Sequence, residues 1–257
     1  MKSSSPSISL AGRRILITGG ARGLGAAFAE QACAAGARVV IADVLSDKNL
    51  ATAETLAGRG FDISACTVDL ENADSIRACA HSAVQMLGGL DALINNGAIA
   101  TGIGGVTGEK IDIDTWDRVM RVNVRGTWLM STSCLPALRE SGNGKILNIA
   151  SDTALWGAPR LMHYVASKGA VIAMTRAMAR EVGNDGIAVN AIAPGLTVCE
   201  ATEYVPRERK DHYVSGRAMN REQVPEDVVG AALFFVSDAA SFVTGQTLPV
   251  NGGFVLN

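Results

Sequence analysis

Seven short runs of nearly unbroken apolar residues, separated by longer stretches of helical period, constrain this chain more than any other feature. The runs are Arg13–Thr18, Arg38–Ala42, Asp62–Val68, Ala92–Ile94, Lys145–Ile149, Ala188–Ile192 and Thr247–Val250. Strands apolar on both faces belong in a parallel sheet covered by helices on each side. Helices are predicted over Leu24–Ala35, Lys48–Ala57, Ala73–Leu87, Ile113–Leu138, Tyr164–Val182 and Pro225–Ser237. Gly36 and Gly183 stand where left-handed C-caps belong, Asn72 where an N-cap belongs, and Pro225 in a first helical turn. The pattern predicts an α/β fold built on one doubly wound, seven-stranded parallel sheet.

At 257 residues, 48% of them hydrophobic, the chain can bury one sizeable core. No internal repeat or linker divides it, so residues 11–257 are expected to form a single domain behind a flexible arm, 1–10. The segment 196–223 is polar, charged and interrupted by Pro206 and Gly216, which suits a substrate loop or lid. Its charges, including Glu200, Glu203, Arg207, Glu208, Arg209, Lys210 and Arg217, are expected on a solvated face. With 25 acidic against 23 basic side chains and no dense basic run, nucleic acid is not an expected partner. No apolar run has the length of a membrane span or signal segment. Five scattered cysteines without a C-x-x-C pair read as reduced thiols, and the expected location is the cytoplasm.

The segment Ile15–Gly25, ILITGGARGLG, runs from a strand through Gly19, Gly23 and Gly25 into a helix that begins at Leu24. Glycine lets backbone N–H groups approach phosphate oxygens, and a helix N-terminus favours their charge. Asp43 ends the second strand twenty positions after Gly23, where a carboxylate can accept from both ribose hydroxyls of an adenosine and repel a 2′-phosphate. This favours NAD over NADP. Arg22 and Arg38 argue the other way, because a guanidinium at that edge could hold the phosphate.

Ser151 closes the fifth strand, and Tyr164 precedes Lys168 by four positions, which puts both on one helix face. An adjacent ammonium favours the phenolate and is expected to lower the Tyr164 pKa. Ser151 could then hold a substrate oxygen by hydrogen bond while Tyr164 moves the proton.

Together these residues resemble the short-chain dehydrogenase/reductase family from about Leu10 to Asn257. Its T-G-x-x-x-G-x-G turn is matched by Thr18, Gly19, Gly23 and Gly25, its catalytic serine by Ser151, and its Y-x-x-x-K by Tyr164 and Lys168. The resemblance implies a single-domain Rossmann-like fold and Asn123 as the helix asparagine that anchors a proton-relay water. It further implies Asp69 and Leu70 beside adenine, Asn96 and Gly97 beside the ribose, and Pro194 and Gly195 facing the nicotinamide. Gln246–Gly253 resembles the closing strand of the family. Two departures stand out. The family's N-N-A-G reads Asn95-Asn96-Gly97-Ala98 here, and its P-G-x-x-x-T places Cys199 where threonine is usual, leaving Thr197 or Thr202 to anchor the carboxamide.

The implied activity is hydride transfer between NAD and a secondary alcohol or ketone, with an NADPH-linked ketoreductase or a non-catalytic dinucleotide binder as alternatives. Trp156, Leu155 and Leu161 in the Ser151–Tyr164 loop, with Leu196, suggest a partly apolar substrate wall. A loop tryptophan closing a subunit contact is equally compatible. Asp152 could touch a polar substrate or make a local hydrogen bond. His163 points about 100° away from Tyr164 and is expected on a surface or interface. No ligand spacing for a metal occurs. Apolar residues around much of the two longest helices suggest subunit contacts, and family members are often tetramers, so a homotetramer is expected.

Overall fold

The computed structural model describes residues 8–256. In chain order its elements are β1 (Arg14–Thr18), α1 (Gly23–Ala34), β2 (Arg38–Asp43), α2 (Ser46–Ala57), β3 (Ile63–Thr67), α3 (Ala73–Leu87) and β4 (Ala92–Asn95). There follow α4 (Ile113–Met120), α5 (Thr127–Glu140), β5 (Lys145–Ile149), α6 (Thr153–Trp156), α7 (Met162–Val182), β6 (Ala188–Pro194), α8 (Arg207–Gly216), α9 (Glu226–Val236) and β7 (Thr247–Val250). All seven strands are parallel, in the order β3-β2-β1-β4-β5-β6-β7. The order reverses between β1 and β4, and ligands of doubly wound sheets bind at the carboxyl edge of such a switch point.

Strand alternation feeds two cores. Ile15, Ile17, Val39 and Ile41 pack with Phe28, Leu56, Val229 and Phe235 on the face covered by α1, α2 and α9. Leu16, Val40 and Leu93 pack with Ile76, Met130, Cys134 and Met178 on the face covered by α3, α5 and α7. The sheet is thus buried on both sides, as the apolar runs require.

Several boundaries differ from the sequence expectation. Of residues 1–10, expected as an arm, 1–7 lie outside the described residues, while Leu10 is buried and its N–H donates to Ala35 O. The domain therefore begins earlier than residue 11. Ile113–Leu138 is not one regular helix, because a π-helical turn, Arg121–Gly126, joins α4 to α5. Asn72 caps α3 by accepting from the Asp74 and Ser75 N–H groups. Gly36 is left-handed as expected (φ +95°), but Gly183 is not; a further short turn carries the chain to Gly186 (φ +74°), which takes that conformation. The long segment after β6 is not irregular. Pro206 and Gly216, read as interruptions, are the ends of α8.

Candidate active site

The glycine turn is built by close approach. Gly19 (φ +69°) and Gly23 (φ +58°) take conformations that disfavour a side chain. At Gly25 a Cβ would lie 2.0 Å from Gly19 O, so only glycine lets α1 start this near β1. The turn is stitched to the end of β4: Asn96 Nδ2 donates to Thr18 O and Gly19 O, both at 3.0 Å, and Thr18 Oγ1 accepts from the Asn96 and Gly97 N–H groups. A Cβ at Gly97 would meet Leu70 Cδ1 at 2.8 Å and Gly19 N at 3.2 Å, so the glycine of the exchanged Asn96-Gly97-Ala98 order lies close against both neighbours.

Asp43 bridges two loops at this edge. Its Oδ2 accepts from Ala21 N–H at 3.1 Å and its Oδ1 from Leu45 N–H at 3.0 Å, with no cation bound to it among the described residues. Arg38, weighed as a phosphate ligand, is at the opposite edge: it begins β2 and binds Asp62 and Leu87 O, so it cannot serve. Arg22 is placed to do so. It pairs with Glu200 at 3.2 Å, and Lys48 reaches the same carboxylate oxygen at 2.5 Å. Asp69 Oδ1 accepts from Glu71 N–H, and Leu70 is buried beside Gly97.

At the ends of β5 and β6 the reactive side chains gather. Ser151 is buried, and its Oγ accepts from the Thr153 hydroxyl at 2.9 Å. The Ser151 hydroxyl also faces the Tyr164 phenol closely enough to favour its ionisation. Burial wins nonetheless and pushes Tyr164 up to about 12. The sequence expectation of a lowered value is therefore not met in this state. The nearby Asp152 charge adds to the rise; Lys168 Nζ lies 5.6 Å from the phenol ring centroid and donates to Ile149 O at 2.6 Å, while burial lowers it to about 8.

Asn123 sits in the π-helical turn with its amide fully engaged: Oδ1 accepts from Ile99 N–H, and Nδ2 donates to Ile99 O and Ser167 Oγ. It braces the loop after β4 against α7. Pro194 O accepts from Asp152 N–H, and a Cβ at Gly195 would meet Asn251 Cβ at 2.9 Å. Thr197 Oγ1 donates to Gly195 O, and Thr202 Oγ1 sits among Thr197 O, Cys199 O and Cys199 N–H. Neither threonine hydroxyl is idle. The Cys199–Thr202 turn leans over the glycine turn, with Cys199 Sγ 3.5 Å from a Cβ built at Gly23.

Trp156 is half-buried among Tyr213, Phe254 and His212, its Nε1–H donating to Tyr213 Oη at 3.3 Å. Leu155 packs against the Ala150 and Val171 cluster, Leu161 is buried, and Leu196 O accepts from Arg217. His163 is a correction: it is fully buried, and neither ring nitrogen has a partner in the described residues.

The sequence reading missed the network beneath α8. Asp152 is fully buried, accepting from Tyr213 Oη at 3.1 Å and Asn251 Nδ2 at 3.4 Å. Burial pushes it up to about 6, against those hydrogen bonds and the Arg217 charge. Arg217 does not face solvent. It is 6% exposed and donates to Asn251 O, Arg221 O, Leu196 O and Gln223 Oε1. The only local signal was a ten-residue stretch between Pro206 and Gly216 with an i,i+4 Arg207–Asp211 pair.

No group of three or more metal-ligating side chains occurs, and no helix is long and apolar enough to cross a membrane, among the described residues. A family model described as enoyl-(acyl carrier protein) reductase matches residues 19–255. The 2-(S)-hydroxypropyl-CoM dehydrogenase 3 of Xanthobacter autotrophicus is 38% identical over 93% of this chain and 95% of its own. The 3-oxoacyl-[acyl-carrier-protein] reductase FabG of Thermotoga maritima is 34% identical over 96% of this chain and 99% of its own. A Beutenbergia cavernae structure, provisionally described as an NAD(P)-dependent gluconate 5-dehydrogenase and holding NADP, superposes with a TM-score of 0.88 at 35% identity. It covers 96% of this chain and 98% of its own. Glycine turn, switch-point strand order and matches across nearly the whole length agree: the chain belongs to the short-chain dehydrogenase/reductase family of oxidoreductases.

Proposed function

We propose that this protein is an NAD-preferring dehydrogenase of secondary alcohols, working reversibly as a carbonyl reductase. The observation that carries the reading is the cluster of Ser151, Tyr164 and Lys168 at the carboxyl edge, across the switch point from a glycine turn that ends beside Asp43, whose carboxylate binds main-chain N–H groups. The turn fits a dinucleotide on its own terms. Gly19, Gly23 and Gly25 leave backbone where side chains would stand, α1 opens toward it, and Asp43 offers its remaining lone pairs to ribose hydroxyls.

When bound, an oxidised nicotinamide dinucleotide supplies the hydride acceptor and a positive charge. Ser151 donates to the substrate oxygen and fixes it against Tyr164. Tyr164 takes the hydroxyl proton, or returns one to a ketone. Lys168, held by Ile149 O, keeps a positive charge beside the phenol and offers its remaining N–H donors to the nicotinamide ribose. Asn123 holds the Ile99 segment against α7 at the back of the site, where a relayed proton would leave toward water. The likeness to a 2-(S)-hydroxypropyl-CoM dehydrogenase and to a 3-oxoacyl-[acyl-carrier-protein] reductase supports this class of substrate.

Arg22 and Lys48 favour a second reading, NADPH use. They converge on one carboxylate of Glu200, and a 2′-phosphate could replace that carboxylate between the same two cations. Formation of reduced nicotinamide from NAD⁺ and NADP⁺, in parallel with a panel of secondary alcohols, decides between them. Turnover confined to NAD⁺ is expected, and faster turnover with NADP⁺ would hand the selectivity to Arg22 and Lys48. Tyr164→Phe is expected to lower kcat by at least about a hundredfold with the dinucleotide Kd unchanged; near-normal turnover would refute Tyr164 as the base.

A homotetramer in the cytoplasm completes the proposal. Trp128 on α5, Met162 on α7 and Leu248 on β7 are large apolar side chains left exposed, and a groove of about 640 Å³ runs beside β7. Light scattering on the eluting protein tests the assembly.

A further inference from the structure

Two cysteines meet beneath the edge assigned to the adenosine. Cys66 in β3 and Cys79 in α3 are free thiols whose Sγ atoms lie 3.4 Å apart. A disulfide bond of about 2.05 Å needs only a further approach of roughly 1.4 Å, shared between a strand and a helix. The strand is the one able to move, because β3 ends the sheet. Cys66 is partly exposed there, whereas Cys79 is 3% exposed behind it.

The two thiols differ in chemistry as well as in access. The hydrogen bond shared by the two sulfurs holds the Cys66 thiol below its ordinary range, while Cys79 itself is raised. Cys66 is therefore the thiol that meets an oxidant, and Cys79 is placed to resolve it. Burial pushes Cys33 and Cys134 up to about 12, which leaves them poor competitors.

The pair also lies where a small shift reaches the dinucleotide site. Cys66 stands opposite Ala42 in the β2–β3 register, one position before Asp43. Its carbonyl accepts from Asn49 Nδ2, which also donates to Ile41 O, so strand and helix α2 move together. Between the two cysteines runs the loop that carries Asp69 and Leu70. That loop is tied to α3 by Asp69 N–H donating to Ser75 Oγ, and Leu70 packs against Gly97.

We propose that Cys66 and Cys79 are a modification site: a peroxide-class oxidant converts them to an intrachain disulfide, and the disulfide weakens dinucleotide binding. The Cys66 sulfur attacks a peroxide oxygen and the O–O bond breaks, leaving a sulfenic acid on Cys66 and one water. The Cys79 sulfur then attacks Cys66, the S–O bond breaks as the S–S bond forms, and the departing hydroxide takes the Cys79 proton as a second water. Two thiols lose two electrons, and the peroxide is reduced to two waters.

The cross-link is independent of the functional reading, whereas its effect on binding rests on that reading. The full-length protein is treated with hydrogen peroxide, and its intact mass, free thiols and cross-linked peptides are measured beside NADH titrations. Expected are a loss of about 2 Da and a peptide joining residues 66 and 79. The NADH Kd rises about fivefold, at the low end of coupling between sites, and dithiothreitol restores it. Cys79→Ser keeps its Kd through the same treatment. Oxidation that stops at Cys66, or falls only on Cys199, overturns the site. A cross-linked protein that binds NADH as tightly as the reduced one overturns the coupling. Failure of the reduced protein to bind either reduced dinucleotide overturns the coupling through the functional reading, and leaves the mass measurement to judge the cross-link.

Discussion

The turn after β1 and the segment after β6 both stand at the carboxyl edge of the sheet, and they are held in opposite ways. The first is held by backbone. Its glycines nest against Gly19 O, Gly97 and Asn96, Asp43 braces it through main-chain N–H groups, and Arg22 reaches across from it to Glu200 of the second segment. The second is held by side chains arriving from far along the chain: Arg217 on four acceptors, Tyr213 and Asn251 on Asp152, and Phe254 stacked on Tyr213 at 4.5 Å. A backbone-built site has little freedom to vary, which suits a constant ligand fragment. A site closed by interchangeable side chains suits a ligand that differs between relatives, as the names of the two dehydrogenase and reductase relatives do.

The sharpest way to break this contrast is to remove its largest side-chain support. Arg217→Met leaves three carbonyls and Gln223 Oε1 without their shared donor in a buried place. It is expected to cost about 4 kcal/mol, since hydrogen bonds to a charged group are each worth more than neutral ones. Denaturant unfolding would measure the loss. If the two regions are independent, dinucleotide affinity stays near normal while KM for the alcohol rises.

Gly25→Ala is the complementary break. Its Cβ would stand 2.0 Å from Gly19 O, a backbone atom that cannot swing aside. A cost of about 3 kcal/mol in stability is expected from such overpacking, together with dinucleotide binding lost below detection in a fluorescence titration. A variant that folds and binds normally would show the turn to be looser than its geometry.

The same division explains what could be read in advance. Strands β1 to β7 were legible because burial on both faces writes itself as apolar runs, and the glycine turn because close approach demands one residue type at fixed positions. Tyr164 and Lys168 were legible because helix spacing places them together. Asp152, Tyr213, Arg217 and Asn251 were not, because each acts through partners up to 99 positions away. Arg217 in a charged segment looked like a solvated residue, and nothing local distinguishes it from Arg207, which is exposed and pairs at i,i+4. His163 misled for the same reason: helix geometry gave its direction, and no local signal gave its burial.

Acid titration sharpens the comparison further, because the lid side carries a buried carboxyl. The Asp152 pKa is raised to about 6, against about 3.9 for an unperturbed aspartate. Folding therefore takes up a proton between these values. The stabilisation from that proton is complete below pH ~3.9 and is lost as pH rises through about 6, a swing of about 3 kcal/mol. Asp152→Asn removes the swing. Relative to that variant, the parent protein is expected to gain in Tm between pH 7 and pH 4.5, and parallel Tm curves would place the Asp152 charge in a better-solvated setting.

Tyr213→Phe makes the smallest change and isolates one link between the lid helix and the catalytic strand. The ring remains to stack on Phe254, but Trp156 Nε1–H loses its acceptor and Asp152 Oδ1 its hydroxyl donor. About 1 kcal/mol is expected at pH 8, the net value of a buried hydrogen bond with partial compensation. Because the hydroxyl holds the Asp152 pKa down against burial, its removal raises that pKa further. The proton is then taken up more readily in the folded state, so the cost shrinks as pH falls toward 5. Thermal melts of parent and variant at both pH values test the sign. A penalty that does not shrink in acid would mean that the Tyr213 hydroxyl does not act through the Asp152 carboxyl, and that the carboxyl and α8 are not linked.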